Sequence, residues 1–120
     1  MNQSAFYPTS GGQQHDTGKM TIEDFGEVDV IEVTKVGKCV LHLISKDVPE
    51  DVNLIGKKIL GLVDLARRTQ LQAHHTGTHI IFASCRKVLG PHIWQAGAKK
   101  SIEQAHLDIT HYKSLTREEE

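Results

Sequence analysis

The residues best suited to chemistry are two histidines, His75 and His79, in the segment HHTGTHIIFASCRKVLG. Residues at i and i+4 lie on one face of an α-helix, about 6 Å apart, which suits two imidazole ligands of one metal ion. The helical HExxH motif uses this spacing with a glutamate as base, and HTGTH has no glutamate, which excludes a metalloprotease of that type. Zinc usually takes three or four protein ligands. A pair of hydrogen-bonded helix histidines without metal therefore stays open, and His74 is out of phase with the pair.

Two further motifs carry polar groups beside small residues. Gly11, Gly12 and Gln13 form a GGQ tripeptide, whose glycines let a backbone approach a sugar-phosphate closely. Its alternatives are a tight turn, or the loop of a release-factor-type peptidyl-tRNA hydrolase, which the nearby Asp16 and the acidic surroundings disfavour. Gln95 precedes the small residues AGA and is either a pocket residue or an edge-strand polar residue.

A helix must present the histidine pair. Thr69 and Gln72 have capping-box spacing and predict its start. Gly90 followed by proline predicts its end, because glycine suits the position after a helix and proline cannot continue it. Gly77 inside the helix costs about 1 kcal/mol relative to alanine. Apolar residues recur along the segment and predict a buried helix face: Ala73, Ile80, Ile81, Ala83, Val88 and Leu89.

The first 65 residues predict β structure. The segments 27–33 and 39–45 are strand candidates joined through Gly37, which predicts a hairpin. A third candidate, 57–65, contains Gly61, which indicates a bulge or a sharp bend. Short strands with glycine-rich links favour a small β-barrel. After the helix, two further strands packed against it are predicted at 92–97 and 105–112.

Composition fits an ordinary globular protein of 120 residues, with 38% hydrophobic and 24% charged residues. No apolar run approaches the roughly 20 residues of a membrane span. Cys39 and Cys85 form no CxxC pair, so we expect a reducing compartment, the cytoplasm. Residues 1–66 carry six Lys or Arg and ten Asp or Glu, whereas residues 67–120 carry eight and five. A polyanion is therefore a plausible partner of the second part.

The last residues, TREEE, begin with Thr116, and Glu119 follows three positions later. This is capping-box spacing with acidic residues in the first turn, which predicts a helix start. A single helical turn gains little for its nucleation cost. We therefore expect the chain to be a piece of something longer.

Three ordered segments carry a resemblance to a known family. FYPTSGGQQHDTG resembles the FYPxGGGQxxDxG signature of alanyl-tRNA synthetases, and HHTGTH resembles their HHTATH. VLGPHIWQAGAKK followed by LDITHY resembles the archaeal and some eukaryotic forms of the next segment. The departures are Gly77, where alanine is usual, and PTSGGQ, where PEGGGQ is common. The resemblance identifies the editing region of an alanyl-tRNA synthetase.

The resemblance implies an α+β fold in two parts. Residues 1–66 would form a β-barrel-like subdomain that carries the GGQ loop. Residues 67–120 would form the first half of the editing core shared with threonyl-tRNA synthetases, a helix plus antiparallel strands that carries HxxxH. The aminoacylation domain, with its ATP site, would lie upstream.

The implied reaction is zinc-dependent hydrolysis of seryl-tRNA(Ala) and glycyl-tRNA(Ala), so the chain would be part of an enzyme. A site shaped for alanine cannot strongly exclude serine or glycine, and a second, hydrolytic site supplies the missing discrimination. Zinc could position the substrate and water or polarise the ester. The alternatives are a non-catalytic tRNA-binding or interaction module, and a fragment of a free-standing alanyl-tRNA editing protein.

The resemblance also assigns residues. His75 and His79 match zinc ligands, Gln95 matches a glutamine of the editing pocket, and the GGQ residues match a loop near the tRNA 3′ end. The other two ligands of the family belong to a CxxxH motif that this chain does not contain, so half a metal site is expected. The expected partners are the acceptor end of tRNA(Ala) and, through an incomplete core, a second copy of the chain. The candidate residues are His75, Thr78, His79 and Gln95 for catalysis, His75 and His79 for metal, and Gly11, Gly12, Gln13, Arg67 and Arg68 for tRNA.

Overall fold

The computed structural model describes residues 1–120, and it is an α+β structure with one helix and two antiparallel sheets. Residues 1–10 and 14–69 form one compact unit, and residues 11–13 and 70–120 form a second. The helix does not combine the length and apolar character that crossing a membrane requires. The elements are β1 (Gly18–Ile22), β2 (Gly26–Val36), β3 (Cys39–Ile44), β4 (Ile59–Val63), α1 (Leu65–Leu89), β5 (Gln95–Lys100) and β6 (Ala105–Ile109).

The first unit is built on an open four-stranded antiparallel sheet in the order β3-β2-β1-β4. The predicted hairpin through Gly37 is confirmed, since β2 pairs with β3. The closed barrel is wrong, because β3 and β4 are sheet edges that each pair on one side only. Four strands are also fewer than the five of even a small, partly open barrel.

A β-bulge in β2 sets which side chains reach the core of the first unit. Val28 and Val30 are buried two positions apart, as strict alternation requires. The pairing with β3 then shifts between Val30 and Glu32, so Val33 takes the next buried position and Glu32 is exposed. The extra residue thus keeps a carboxylate out of the core. The buried core residues are Phe6, Met20, Ile22, Val28, Val30 and Val33.

Gly61 has a different role from the one predicted. It pairs regularly with Met20 in β4, without a bulge or bend, so that prediction is wrong. A Cβ atom at Gly61 would lie 2.8 Å from Cε2 of Phe6. Glycine is needed there because the phenyl ring of Phe6 occupies the space over the strand.

Helix α1 begins earlier than the capping box at Thr69 predicted. Asp64 precedes its first residue, and the backbone N–H of Arg67 donates to Oδ1 of Asp64 over 3.1 Å. The aspartate is therefore the N-cap and satisfies an amide of the first turn. The predicted end is confirmed: Gly90 follows the last helical residue with φ of 116° and donates its N–H to the carbonyl of Arg86.

The second unit contains the antiparallel pair β5 and β6, which confirms the two strands predicted after the helix. The predicted buried helix face is wrong, since Ile80, Ile81 and Val88 are exposed and only Leu71 and Thr78 are buried. Two strands of six and five residues, each about 20 Å long or less, cannot cover a 25-residue helix about 37 Å long.

Near the C-terminus, Thr116 forms a hydrogen-bonded turn with Glu119, where the sequence predicted a helix start. The backbone N–H and the hydroxyl of Thr116 each donate to Oε2 of Glu119 over 3.0 Å. These bonds, led by the backbone one, and the Lys113 ammonium lower the pKa of Glu119 to about 2. The carboxylate half of a capping box is therefore formed, with residues 117–119 in a turn.

A buried carboxylate ties the segment before the sheet to the first turns of α1. Asp16 is fully buried and accepts from the backbone N–H of Tyr7 over 2.7 Å. Both of its oxygens also accept from Nε of Arg68 over 3.0 Å, and the Arg68 guanidinium donates to the carbonyl of Ala5 over 2.9 Å. The contact with Asp16 raises the pKa of Arg68, chiefly through this hydrogen bonding.

Replacing the arginine tests this tie. In Arg68→Ala the Asp16 carboxylate stays buried without its counter-charge, and we expect the free energy of unfolding to fall by about 3 kcal/mol. Urea denaturation followed by circular dichroism measures the change. Lys19→Ala is the matched control, because its ion pair with Glu27 is exposed and should contribute less than about 1 kcal/mol. Equal losses in the two variants would contradict a structural role for the buried pair.

Candidate functional site

The two histidines of the HxxxH motif meet through their Nε2 atoms. Helix α1 carries both, and the distance between Nε2 of His75 and Nε2 of His79 is 3.1 Å. Their ring centroids are 5.0 Å apart and the rings are tilted by 37°. Two nitrogens bound to one tetrahedral zinc at roughly 2.0–2.1 Å lie about 3.3 Å apart. The separation of the two nitrogens is therefore close to that of two neighbouring ligands of one metal ion, and it is equally that of a hydrogen bond between two imidazoles.

The other ring nitrogen of His75 contacts the GGQ loop. Nδ1 of His75 lies 3.0 Å from Oε1 of Gln13, whose side chain is buried. Burial, followed by the positive charge of Lys100 and the proximity of His79, lowers the pKa of His75. The neutral imidazole, which is the form that binds a metal, is therefore favoured.

The GGQ loop lies against strand β5 at a distance that only glycine permits. Gly12 has φ of +75°, and a Cβ atom there would lie 2.1 Å from the carbonyl oxygen of Ala98. The backbone N–H of Lys100 donates to the carbonyl of Gly12 over 2.6 Å. Its ammonium donates to the carbonyl of Gly11 over 3.1 Å. These contacts hold Gln13 in bridge pairing with Lys100.

Side-chain contacts join Gln13, His75 and His79, and the other two catalytic candidates make no side-chain hydrogen bond with these three. Thr78 is buried, and its hydroxyl donates to the carbonyl of His74 over 2.7 Å, one turn back in the same helix. Gln95 is exposed at the first position of β5 and makes no hydrogen bond with either histidine. Their catalytic roles stay predictions.

The two arginines proposed to contact tRNA are engaged within the first unit. Nε of Arg67 donates to the carbonyl of His15 over 3.1 Å, and its Nη2 lies 3.4 Å from the side-chain oxygen of Gln14. Arg68 pairs with the buried Asp16. Both guanidinium groups therefore have internal partners, and contact with a phosphate stays a prediction.

Sequence reasoning missed Lys100, a lysine with 3% of its surface exposed. The strand GAKK held a usable signal, because two consecutive strand residues point to opposite faces. Lys99 and Lys100 therefore lie on opposite faces of β5, and covering one face buries one of them. Lys99 is exposed and Lys100 is buried.

The HxxxH site offers two imidazoles to a metal ion, and a second imidazole pair lies elsewhere in the chain, with 3.0 Å between Nε2 of His92 and Nδ1 of His111. No group of three or more His, Cys, Asp and Glu side chains is arranged to hold a metal. His74 turns away from the pair, since its Nδ1 lies 2.8 Å from the carbonyl of Ser101. The half metal site expected from the sequence therefore stays a prediction.

Comparison with known proteins places the chain in a family. The family model for class II (A) tRNA synthetases matches residues 1–67. The chain belongs to this family. It is 45% identical over 119 residues to the alanine–tRNA ligase of Ignicoccus hospitalis and 46% identical over 119 residues to that of Pyrococcus furiosus. It is 43% identical over 118 residues to the alanine–tRNA ligase of Methanobrevibacter smithii.

These alignments differ in what they cover. They include 98–99% of this chain but 12–13% of each ligase, so the chain spans about an eighth of the length of the relatives it matches. The family model ends before the histidine pair, whereas the alignments with the ligases extend over it. The synthetase resemblance of the sequence is thus confirmed at the level of the family.

Substituting Gly12 tests the docking of the loop. In Gly12→Ala the new methyl group would overlap the Ala98 carbonyl, so we expect the loop to leave β5 and the Lys100 amide to lose its acceptor. Amide hydrogen exchange followed by NMR measures the protection of the Lys100 N–H, which should fall at least tenfold.

Gly37→Ala is the matched control for this measurement. Gly37 also has a positive φ, +60°, but nothing lies within 4 Å of its Cβ position. It should lower stability by about 1 kcal/mol without changing the exchange of the Lys100 amide. Unchanged protection of that amide in Gly12→Ala would contradict the close approach as the reason for the glycine.

Proposed function

We propose that the chain is the editing region of an alanine–tRNA ligase, which hydrolyses mischarged Ser-tRNA(Ala) and Gly-tRNA(Ala). The names of the relatives support an alanine–tRNA ligase as the parent enzyme. The observation that carries the editing assignment is the histidine pair, with 3.1 Å between the two Nε2 atoms. A helix alone does not require that convergence, because exposed i, i+4 side chains are free to diverge.

Zinc is the cofactor proposed for this reaction. His75 and His79 would hold it through Nε2, and further ligands would come from outside the 120 residues. When bound, the ion would act as a Lewis acid that polarises the ester or lowers the pKa of a water molecule. The ATP of aminoacylation would bind elsewhere in the parent ligase.

The residues of this chain have separate tasks in the proposal. The GGQ loop would receive the acceptor end of tRNA(Ala), since its glycine backbone offers close approach without side chains. Gln95 is exposed beside the small residues Ala96 and Gly97, where it would contact the substrate from β5. Thr78 would support the site by fixing the helix backbone between the two histidines.

Self-association is the last part of the proposal. The apolar side chains of Ile80, Ile81 and Val88 are exposed on α1. Their burial against a second copy of the chain would remove apolar surface from water, which favours association.

A non-catalytic tRNA-binding module is the second candidate function. The net basic charge of residues 67–120 supports it, because the tRNA backbone is a polyanion. Its activity would be salt-dependent tRNA binding without hydrolysis. The excess of basic residues in positions 67–120 is small, so the affinity would be low.

Zinc binding tests the metal half of the proposal. Two imidazoles should give weak binding, with a dissociation constant well above that of a complete site, and His79→Ala should abolish it. Isothermal titration with zinc chloride measures both. His106→Ala is the control, since His106 is exposed and pairs with Asp108. Binding that survives His79→Ala would contradict the assigned site.

Deacylation tests the editing half. We expect the 120-residue chain to hydrolyse Ser-tRNA(Ala) at least 100-fold more slowly than the ligase of Pyrococcus furiosus, because two imidazoles alone hold zinc weakly. The residual activity should be absent in His75→Ala. In the unmodified chain it should leave Ala-tRNA(Ala) intact. Release of labelled amino acid over time measures it. Rates equal to those of the ligase would contradict the half site, and tRNA binding without any hydrolysis would favour the non-catalytic module.

A further inference from the structure

We propose that Gln13 is a positioning residue that fixes the tautomer of His75, and that Lys100 holds Gln13 in place to do so. The inference deepens the proposed function and rests on it for its biological purpose. Its geometry rests only on contacts among the GGQ loop, α1 and β5.

The first step is the hydrogen bond between Gln13 and His75. The amide oxygen Oε1 of Gln13 has no hydrogen to give, so Nδ1 of His75, 3.0 Å away, must donate. A neutral imidazole carries one N–H, and Nδ1 now holds it. Nε2 of His75 is therefore left with a free lone pair.

The second step concerns where that lone pair points. Nε2 of His75 lies 3.1 Å from Nε2 of His79. At this distance it accepts the N–H of His79, and with a metal ion between the rings it would be a ligand. Gln13 thus selects the one neutral tautomer of His75 that can do either. Histidine ligands commonly have their second nitrogen held in this way, and loss of such a partner lowers metal affinity about 10- to 100-fold.

The third step is the anchoring of Gln13. Two donors of Lys100 hold the preceding residues: its backbone N–H binds the carbonyl of Gly12, and its ammonium binds the carbonyl of Gly11. A buried ammonium is costly unless it is hydrogen-bonded. Lys100 is 3% exposed, and the carbonyl of Gly11 supplies its partner. The lysine thereby links β5 to the loop through side chain and main chain at once.

His74 provides an internal reference in the same helix. Its Nδ1 lies 2.8 Å from the carbonyl of Ser101, so it must donate there, and its Nε2 accepts from the side-chain amide of Gln70 over 2.8 Å. His74 is therefore held in the same tautomer by partners other than Gln13 and Lys100. Changes to the loop should leave it unaffected.

The test is the tautomer of each imidazole, read from long-range ¹H–¹⁵N correlations of the full chain labelled at histidine nitrogens. The spectra are recorded without metal at mildly alkaline pH. We expect His75 in the Nδ1–H form in the unmodified chain. In Gln13→Ala it should shift to the Nε2–H form that an unconstrained imidazole prefers. Gln13→Glu, which restores an acceptor oxygen, should retain Nδ1–H.

Lys100 is tested in the same spectra. Lys100→Met keeps the length of the side chain and removes the donor, and His75 should become a mixture of tautomers. Lys100→Arg restores a donor and should return the Nδ1–H signal. Unchanged Nδ1–H signals of His74 show that each variant is folded. Should Lys100→Met unfold, the Gln13 variants still decide the question.

Two results would overturn the inference: an Nε2–H tautomer of His75 in the unmodified chain, or an unchanged tautomer in Gln13→Ala. Neither result depends on catalysis, so failure of this inference can be distinguished from failure of the editing proposal. A chain that neither binds zinc nor hydrolyses Ser-tRNA(Ala) would still show the tautomer shift. Where zinc does bind, its affinity should fall about 10- to 100-fold in Gln13→Ala and remain unchanged in His106→Ala.

Discussion

The candidate site depends on one close approach, that of the Gly12 backbone to strand β5. With the Cβ position of Gly12 only 2.1 Å from the Ala98 carbonyl, any side chain would force the loop away. The same approach brings the carbonyl groups of Gly11 and Gly12 to the donors of Lys100. These contacts fix the position of the next residue, Gln13. Its side-chain amide oxygen consequently lies 3.0 Å from Nδ1 of His75. Glycine here serves backbone proximity more than flexibility.

The loop in turn determines the chemistry open to the histidine pair. A ring nitrogen can act as ligand or base only while it holds a lone pair, and an i, i+4 helix pair by itself leaves four tautomer combinations open. Partial burial and the nearby Lys100 lower the pKa of His75, which favours the neutral ring. The Gln13 oxygen then removes one of its two neutral forms. Charge and hydrogen bonding therefore act on the same ring from different residues.

Much of this arrangement could be predicted from sequence where the pattern was local. The Gly37 hairpin and the helix end at Gly90 follow from turn chemistry, and the α+β class was implied by the family resemblance. Non-local constraints were not readable. The bulge that turns Val33 inward depends on pairing with β3, and Gly61 depends on a phenyl ring 55 positions away in the chain. The contact between Gln13 and His75 joins residues 62 positions apart, so no spacing rule could anticipate it.

The histidine pair separates two requirements of a metal centre, the geometry of its ligands and their number. One helix sets the geometry of His75 and His79, because four residues of regular backbone bring both rings to the same face at no loop-closure cost. Further ligands would have to come from distant parts of the sequence, and bringing them to the site would cost loop-closure entropy. The local half can therefore form its geometry from the helix alone, with 3.1 Å between the two nitrogens. In the proposed zinc centre, distant ligands would chiefly add affinity, because the helix and the contact with Gln13 already orient the rings.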